Sequence, residues 1–295
     1  MAQASELAGG TGFTFEDLVA ASYVTALLQE GFAPGVENRI VSRVALQQRD
    51  FGEPLDDVII DFRGSNGDPA RLSLQVKRSL TISDAKTNTD FREIIRDSWL
   101  TMRKADFRKG TDRFGAAVGE IASERARGLR SICEQSRAST SAVEFESRFT
   151  EGGNASISLK SVKASVTALV EEAAGGPVAS EDVHQFFAHF VLIEFDFLHE
   201  GGASYPNALN ALRSCLATDQ ASDAPAIWAL ICRMVREGAG RMAIFSRSSL
   251  VRRLSTSVRL AGSQSLRADL GKITRLTGQW IRDIELLEMA GAPAS

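Results

Sequence analysis

Apolar residues recur at helical spacing near the start of the chain, with Phe15, Leu18, Val19, Ala26 and Leu27 on one arc. Thr14 stands just before this arc and Asp17 three residues after it, a capping-box pattern, and Phe13 can staple onto Leu18. The spacing predicts a helix that ends near Gly31. At 100° per residue Glu16 falls between Tyr23 and Leu27, on the edge of the apolar arc, and Asp17 falls on the side expected to face solvent.

The period then changes. Extended segments are expected over residues 40–48, 57–62 and 71–78, and Gly64, Ser65, Asn66, Gly67, Asp68 and Pro69 form a strong turn signal between the second and third. An antiparallel hairpin is predicted there. Residues 91–107 read as an amphipathic helix with Ile94, Ile95, Trp99 and Met102 inward. A short strand over 113–118 and a helix over 120–135 follow. Beyond about residue 150 the pattern is mainly helical, with helices expected over 159–173, 180–188, 206–216, 224–237, 248–259 and 263–289. The apolar run 190–197 reads equally as strand or as helix. The fold class is therefore α/β over residues 9–150, followed by a mainly helical region over 151–295.

The hairpin makes a chemical prediction. With the turn centred on Asn66, Asp57 lies nine residues before it and Gln75 nine after it. Residues paired across a hairpin share a face, so Asp57 and Gln75 should sit side by side, and alternation adds Lys77 to them. Val58, Ile60, Phe62, Leu72, Leu74 and Val76 take the opposite, packed face. A carboxylate, an amide oxygen and a backbone carbonyl, such as that of Val76, are hard ligands suited to Mg2+, with Mn2+ as the alternative ion. A lysine beside them can stabilise charge on a phosphoryl group or orient the attacking water. Glu16, turned toward the core at the helix edge, needs a partner, and a cation near Asp57 would supply one.

Asp57, seventeen intervening residues and then Gln75-Val76-Lys77 resemble the signature of the PD-(D/E)xK nuclease superfamily. The predicted order of helix, three-stranded antiparallel meander, helix and strand resembles its restriction-endonuclease-like core. The stretches Gly10-Thr11-Gly12-Phe13-Thr14-Phe15-Glu16 and Leu74-Gln75-Val76-Lys77-Arg78-Ser79 are similar to the double-stranded DNA endonuclease effector domain of bacterial antiphage proteins, found in CBASS effectors and STAND NTPases of the AVAST type. The resemblance covers roughly residues 9–125. It implies a metal-dependent deoxyribonuclease of low sequence specificity, with Glu16, Asp57, Gln75 and Lys77 as catalytic residues and Glu16, Asp57, Gln75 and the Val76 carbonyl as metal ligands. It also implies activation by assembly and a sensor or NTPase module in the same or a partner chain. Gln75 departs from the family's usual acid, which shifts the burden of holding a cation to Glu16 and Asp57. The aspartate of the pattern is Asp57 or Asp56, and the hairpin pairing favours Asp57; Asp61 shares its face. A non-catalytic adaptor that binds DNA or a partner, or a nuclease for RNA or single strands, is the alternative.

Charge and composition refine this picture. The net charge of −3 excludes a chain that coats DNA by bulk charge. Arg78, Lys86, Arg92 and Arg96 flank the candidate site in sequence and are the expected DNA contacts. Residues 241–282 carry nine basic residues against Asp269, a local +8. Three cysteines, without a paired motif, fit a reduced, cytoplasmic setting. His184, His189 and His199 are not spaced as zinc ligands. No apolar run is long enough to span a bilayer, and no secretory signal or nucleotide-binding P-loop is expected.

Overall fold

The computed structural model describes residues 13–261. The expected helix over 263–289, with Arg267, Lys272, Arg275 and Arg282, lies outside the described residues, as do Gly10, Thr11 and Gly12. In chain order the elements are α1 (Phe15–Gln29), β1 (Ile40–Leu46), β2 (Val58–Arg63), β3 (Pro69–Leu80), α2 (Thr89–Met102), β4 (Arg113–Ile121), α3 (Ser123–Ala138), α4 (Ala142–Ser147), α5 (Ile157–Ala174), α6 (Ser180–His189), β5 (Phe190–Glu194), α7 (Ser204–Cys215), α8 (Ala224–Ala239), β6 (Ile244–Ser246) and α9 (Arg247–Leu254).

The six strands form one open sheet in the order β5-β4-β3-β2-β1-β6. Strands β1, β2 and β3 make an antiparallel meander. After the α2 crossover β4 runs parallel to β3, and β5 runs parallel to β4. The hairpin register runs from Val58↔Leu74 to Arg63↔Pro69, which centres the turn on Asn66 as the turn residues predict. The alternation holds as well: Val58, Ile60, Phe62, Leu72, Leu74 and Val76 all join the core on the α1 side.

Two apolar cores flank the sheet. One packs α1, α7 and α8 against one face, and the other packs α2, α3, α5 and α6 against the opposite face. This is a three-layer α/β/α arrangement, the solution for a sheet that must cover both faces. Helix α1 starts as predicted. Thr14 Oγ1 accepts from the Asp17 N–H at 3.1 Å, and Asp17 Oδ2 accepts from the Thr14 N–H at 2.8 Å. Glu30 closes the helix in a left-handed conformation, φ 55°.

Several expectations need correction. The division near residue 150 is not respected by the sheet: β5 and β6, from the part expected to be helical, form its two edges. Both cores draw residues from either side of 150. Asp17 does not face solvent and is only 6% exposed. Helices α7 and α8 cover the side of α1 that the periodicity left open, and the cap bond satisfies the carboxylate. Helix α2 stops at Met102, short of 107. The ambiguous run 190–197 begins as strand β5, because pairing with β4 satisfies its backbone.

That pairing depends on Gly115. A Cβ there would lie 1.9 Å from the Val191 carbonyl oxygen. Gly115→Ala is expected to destabilise the fold by about 2 kcal/mol or more, since backbone on the neighbouring strand must move. Gly152, with nothing within 4 Å of its virtual Cβ, serves as control. Urea midpoints of Gly115→Ala and Gly152→Ala check this; coincident midpoints would rule out so close an approach of β5.

Candidate active site

Asp57 stands just before β2, opposite Gln75 in the middle of β3. Gln75 Nε2 donates to Asp57 Oδ2 at 2.6 Å, and the Val76 N–H donates to the same oxygen at 2.7 Å. Within a strand a residue's N–H and carbonyl leave by the same edge. The Val76 carbonyl therefore faces the β2 side, where Asp57 sits. Lys77 Nζ lies 3.1 Å from Asp90 Oδ1, in the first turn of α2.

Glu16 reaches the group from the first turn of α1. Its Oε1 accepts from Gln47 Nε2 at 3.0 Å, and the Gln47 N–H donates to the Asp57 carbonyl at 3.2 Å. Gln47 thus ties the Glu16 carboxylate to the backbone of Asp57. It sits at the end of β1 with φ 48°, in the left-handed region that non-glycine residues seldom occupy. Burial pushes the Asp57 carboxyl up to about 7; the charges of Glu16 and Asp56 add to this, and the Val76 N–H and Lys77 oppose it.

Asp57, Gln75, Lys77 and Glu16 are therefore brought together. Asp56 is directed elsewhere: its Oδ1 accepts from Arg49 Nη2 at 2.7 Å. Asp61 is held by Arg43 at 2.7 Å and Arg71 at 2.9 Å. The expected DNA contacts divide. Arg78 and Lys86 are exposed and make no ion pair among the described residues. Arg92 is paired with Glu172, and its Nη1 donates to the Asp84 carbonyl at 3.0 Å; Arg96 is paired with Asp97 at 2.9 Å. Sequence spacing cannot see these partners, which come from α5 and from α2 itself. Within the basic C-terminal stretch, Arg247 pairs with Glu30 at 3.3 Å and Arg259 with Asp219. His184 and His189 are buried and bonded to the carbonyls of Ser136 and Asp112, which is a structural use.

Sequence reasoning missed Gln47 and Asp90. The signal for Asp90 was its place after Asn88 and Thr89, before the apolar face of α2 begins. Gln47 carried none, because its bonds to Glu16 and to the Asp57 backbone form only when separate segments of the chain meet. Gln47→Ala is expected to leave the fold intact and to weaken divalent-metal binding about 10-fold or more, the size of effect seen when a ligand loses its orienting partner. Calorimetry with Mg2+ and Mn2+ measures it; unchanged affinity would remove Gln47 from the site.

The donor set can be tested against a hard cation. Among the described residues, no three His, Cys, Asp or Glu side chains form a group that could hold a metal ion. A cage here would use two carboxylates, Glu16 and Asp57, with the Gln75 amide oxygen and the Val76 carbonyl. Gln75 Oε1 is buried and has no hydrogen-bond partner. An orphaned acceptor beside a carboxyl whose ionised form burial disfavours is an arrangement that a divalent cation would resolve. These residues fit Mg2+ or Mn2+.

No family model matches the chain. No curated protein matches it either. Among solved structures, it is similar to the Cap4 SAVED/CARF-domain containing receptor of Acinetobacter baumannii with the cyclic trinucleotide 3'3'3'-cAAA, at 10% identity and a TM-score of 0.42, over 80% of this chain and 42% of that one. It is also similar to the Cap4 SAVED/CARF-domain containing receptor of Moraxella osloensis, at 13% identity and a TM-score of 0.43, over 83% and 48%. The chain spans less than half the length of these receptors. At such TM-scores the likeness carries no weight for fold or function, and the chemistry rests on the site's own residues.

Proposed function

We propose that this protein is a metal-dependent endonuclease that hydrolyses phosphodiester bonds of double-stranded DNA with low sequence specificity. The observation that carries this reading is the convergence of Glu16, Asp57, Gln75 and Lys77 through hairpin register and α1. A bound Mg2+ would polarise the phosphoryl oxygen and make water a better nucleophile near neutral pH. Glu16, Asp57, Gln75 and the Val76 carbonyl are the groups that would hold it. Lys77 is placed to hold the attacking water and to balance charge gathering on the phosphate. In the reaction a water oxygen bonds to phosphorus, the bond to one bridging sugar oxygen breaks, and a proton ends on the departing oxygen. Arg78 and Lys86 are free to meet the DNA backbone. Arg92 and Arg96 would first have to leave their ion pairs with Glu172 and with the buried Asp97.

A role in antiphage defence, activation by homo-oligomeric assembly and a linked sensor or NTPase module belong to the same proposal and rest on the family resemblance alone. So does duplex DNA as substrate, whereas a cytoplasmic location is proposed from the three free cysteines. The test is cleavage of supercoiled plasmid with Mg2+ or Mn2+ against EDTA, at several protein concentrations. Nicking and linearisation only with metal support the reading.

A second reading is a non-catalytic adaptor that binds DNA or a partner. It is favoured by the neutral Gln75 and by a site with only two carboxylates. Calorimetry separates the two: duplex binding with no divalent-metal binding and no cleavage would establish the adaptor. A substrate panel of duplex DNA, single strands and RNA tests the remaining nuclease alternative.

A further inference from the structure

Strand β5 is one edge of the sheet, and a cleft of about 430 Å3 runs along it, between the 35–39 segment and α3. Four arginines line this cleft: Arg39, Arg113, Arg130 and Arg137. Two are fastened to the edge itself. Arg130 Nε donates to the Leu192 carbonyl at 3.1 Å, and Arg137 Nη1 donates to the Phe190 carbonyl at 3.3 Å. Arg130 is also paired with Glu194 at 3.0 Å, and Arg39 with Asp68. Arg113 and Arg137 have no carboxylate within ion-pair distance among the described residues. Arg113 is partly buried, and its Nη1 donates only to the Asp112 carbonyl at 3.0 Å while lying 3.2 Å from His189 Nδ1. Burial, with Arg137 and Arg39 nearby, pushes its pKa down, against smaller opposing effects of Glu37 and Asp112. Glu37 and Glu134, the two acids of the lining, are both exposed.

The 35–39 wall is set in place by Gly35, at φ 103°, where a Cβ would lie 2.5 Å from Leu72 Cδ2. The cleft shares no residue with the Asp57 site.

We propose that this edge cleft binds a small phosphate-bearing ligand, of inorganic phosphate to mononucleotide size, through Arg113 and Arg137. Guanidinium groups match phosphate oxygens in a two-pronged geometry. Arg113 and Arg137 repel each other and neither has an ion-paired carboxylate among the described residues, and an anion joining the two guanidinium groups relieves that repulsion. The bonds to β5 carbonyls already restrict Arg130 and Arg137, so little side-chain freedom remains to be lost on binding. The volume lies within the range of small-ligand sites, about 300–1,000 Å3. The proposal is independent of the nuclease reading.

The experiment is calorimetry on the full chain with inorganic phosphate, AMP and adenosine, at physiological ionic strength. Phosphate and AMP are expected to bind and adenosine to fail. Arg137→Gln, exposed on α3 and safe for folding, is expected to weaken AMP binding about 10-fold or more, as loss of a charge-assisted contact does. Arg113→Gln should do the same wherever its melting curve remains cooperative. Asp57→Asn should leave AMP binding unchanged. Three results each overturn the proposal: no binding of either phosphate compound, binding that Arg137→Gln leaves intact, or binding that vanishes in Asp57→Asn. Binding of a duplex through Arg137 without AMP binding would also overturn it, in favour of a DNA track.

Discussion

Asp57→Asn is expected to abolish metal-dependent cleavage and, in the same step, to stabilise the metal-free protein above pH 7. Asp57 is largely buried, and its carboxyl titrates at about 7 in the fold against an ordinary value of 3.8. The folded state therefore keeps a proton that the unfolded chain has released. Stability falls as pH rises between these two values, and the full cost of the buried charge is present above pH 7. A shift of this size corresponds to roughly 4 kcal/mol as an upper limit. Asparagine keeps the shape and can accept from the Val76 N–H without carrying the charge. Thermal melts at pH 5 and pH 8 in EDTA should show the variant slightly higher at the lower pH and several degrees higher at the upper one. Mg2+ should raise the wild-type midpoint at pH 8, where no proton competes for the carboxylate, and leave the variant unmoved. A variant less stable than wild type at pH 8 would contradict the electrostatic cost. One that still cleaves would remove Asp57 from the chemistry.

The other large effect is expected at Lys77. Lys77→Ala should lower the cleavage rate by about 10²- to 10⁴-fold, the range for loss of a group that handles protons or charge in the transition state. Its pair with the half-exposed Asp90 carries little stability, so the melting temperature should barely change. Metal affinity should hold or rise, because a cation near the ligands is gone. Single-turnover cleavage and metal titration measure the two separately. Asp90→Asn is the companion variant: it breaks the same ion pair but keeps the lysine, and its rate should stay within a few-fold of wild type by the modest worth of such pairs. If Lys77→Ala cleaves at the wild-type rate, the site has another mechanism or the cleavage has another source.

Those two residues were readable before any coordinates because the hairpin is local. A six-residue turn signal, a strict period of two and a centre at Asn66 leave one register, and a slip by one would have turned Val58, Ile60 and Phe62 onto the face that carries Asp57 and Gln75. The α1 cap was readable for the same reason, since Thr14 and Asp17 satisfy each other across three residues. Asp17 itself was misplaced, because a helix covered on several sides has no solvent face for the periodicity to reveal. Arg92 and Arg96 flank the site in sequence, but Glu172, eighty positions from Arg92, and Asp97 pair with them.

By itself, then, the sequence determined the local units: the capped α1, the hairpin, the shared face of Asp57, Gln75 and Lys77, and the apolar stripes that cover the sheet. Each follows from backbone geometry over a few residues. The tertiary structure alone decided that β5 and β6 close the two edges of one sheet, that Gln47 links Glu16 to Asp57, and that four arginines gather along β5. These depend on contacts between distant segments. A five-residue and a three-residue strand carry too little periodicity to announce themselves, and their backbone groups are satisfied only when partners far along the chain arrive.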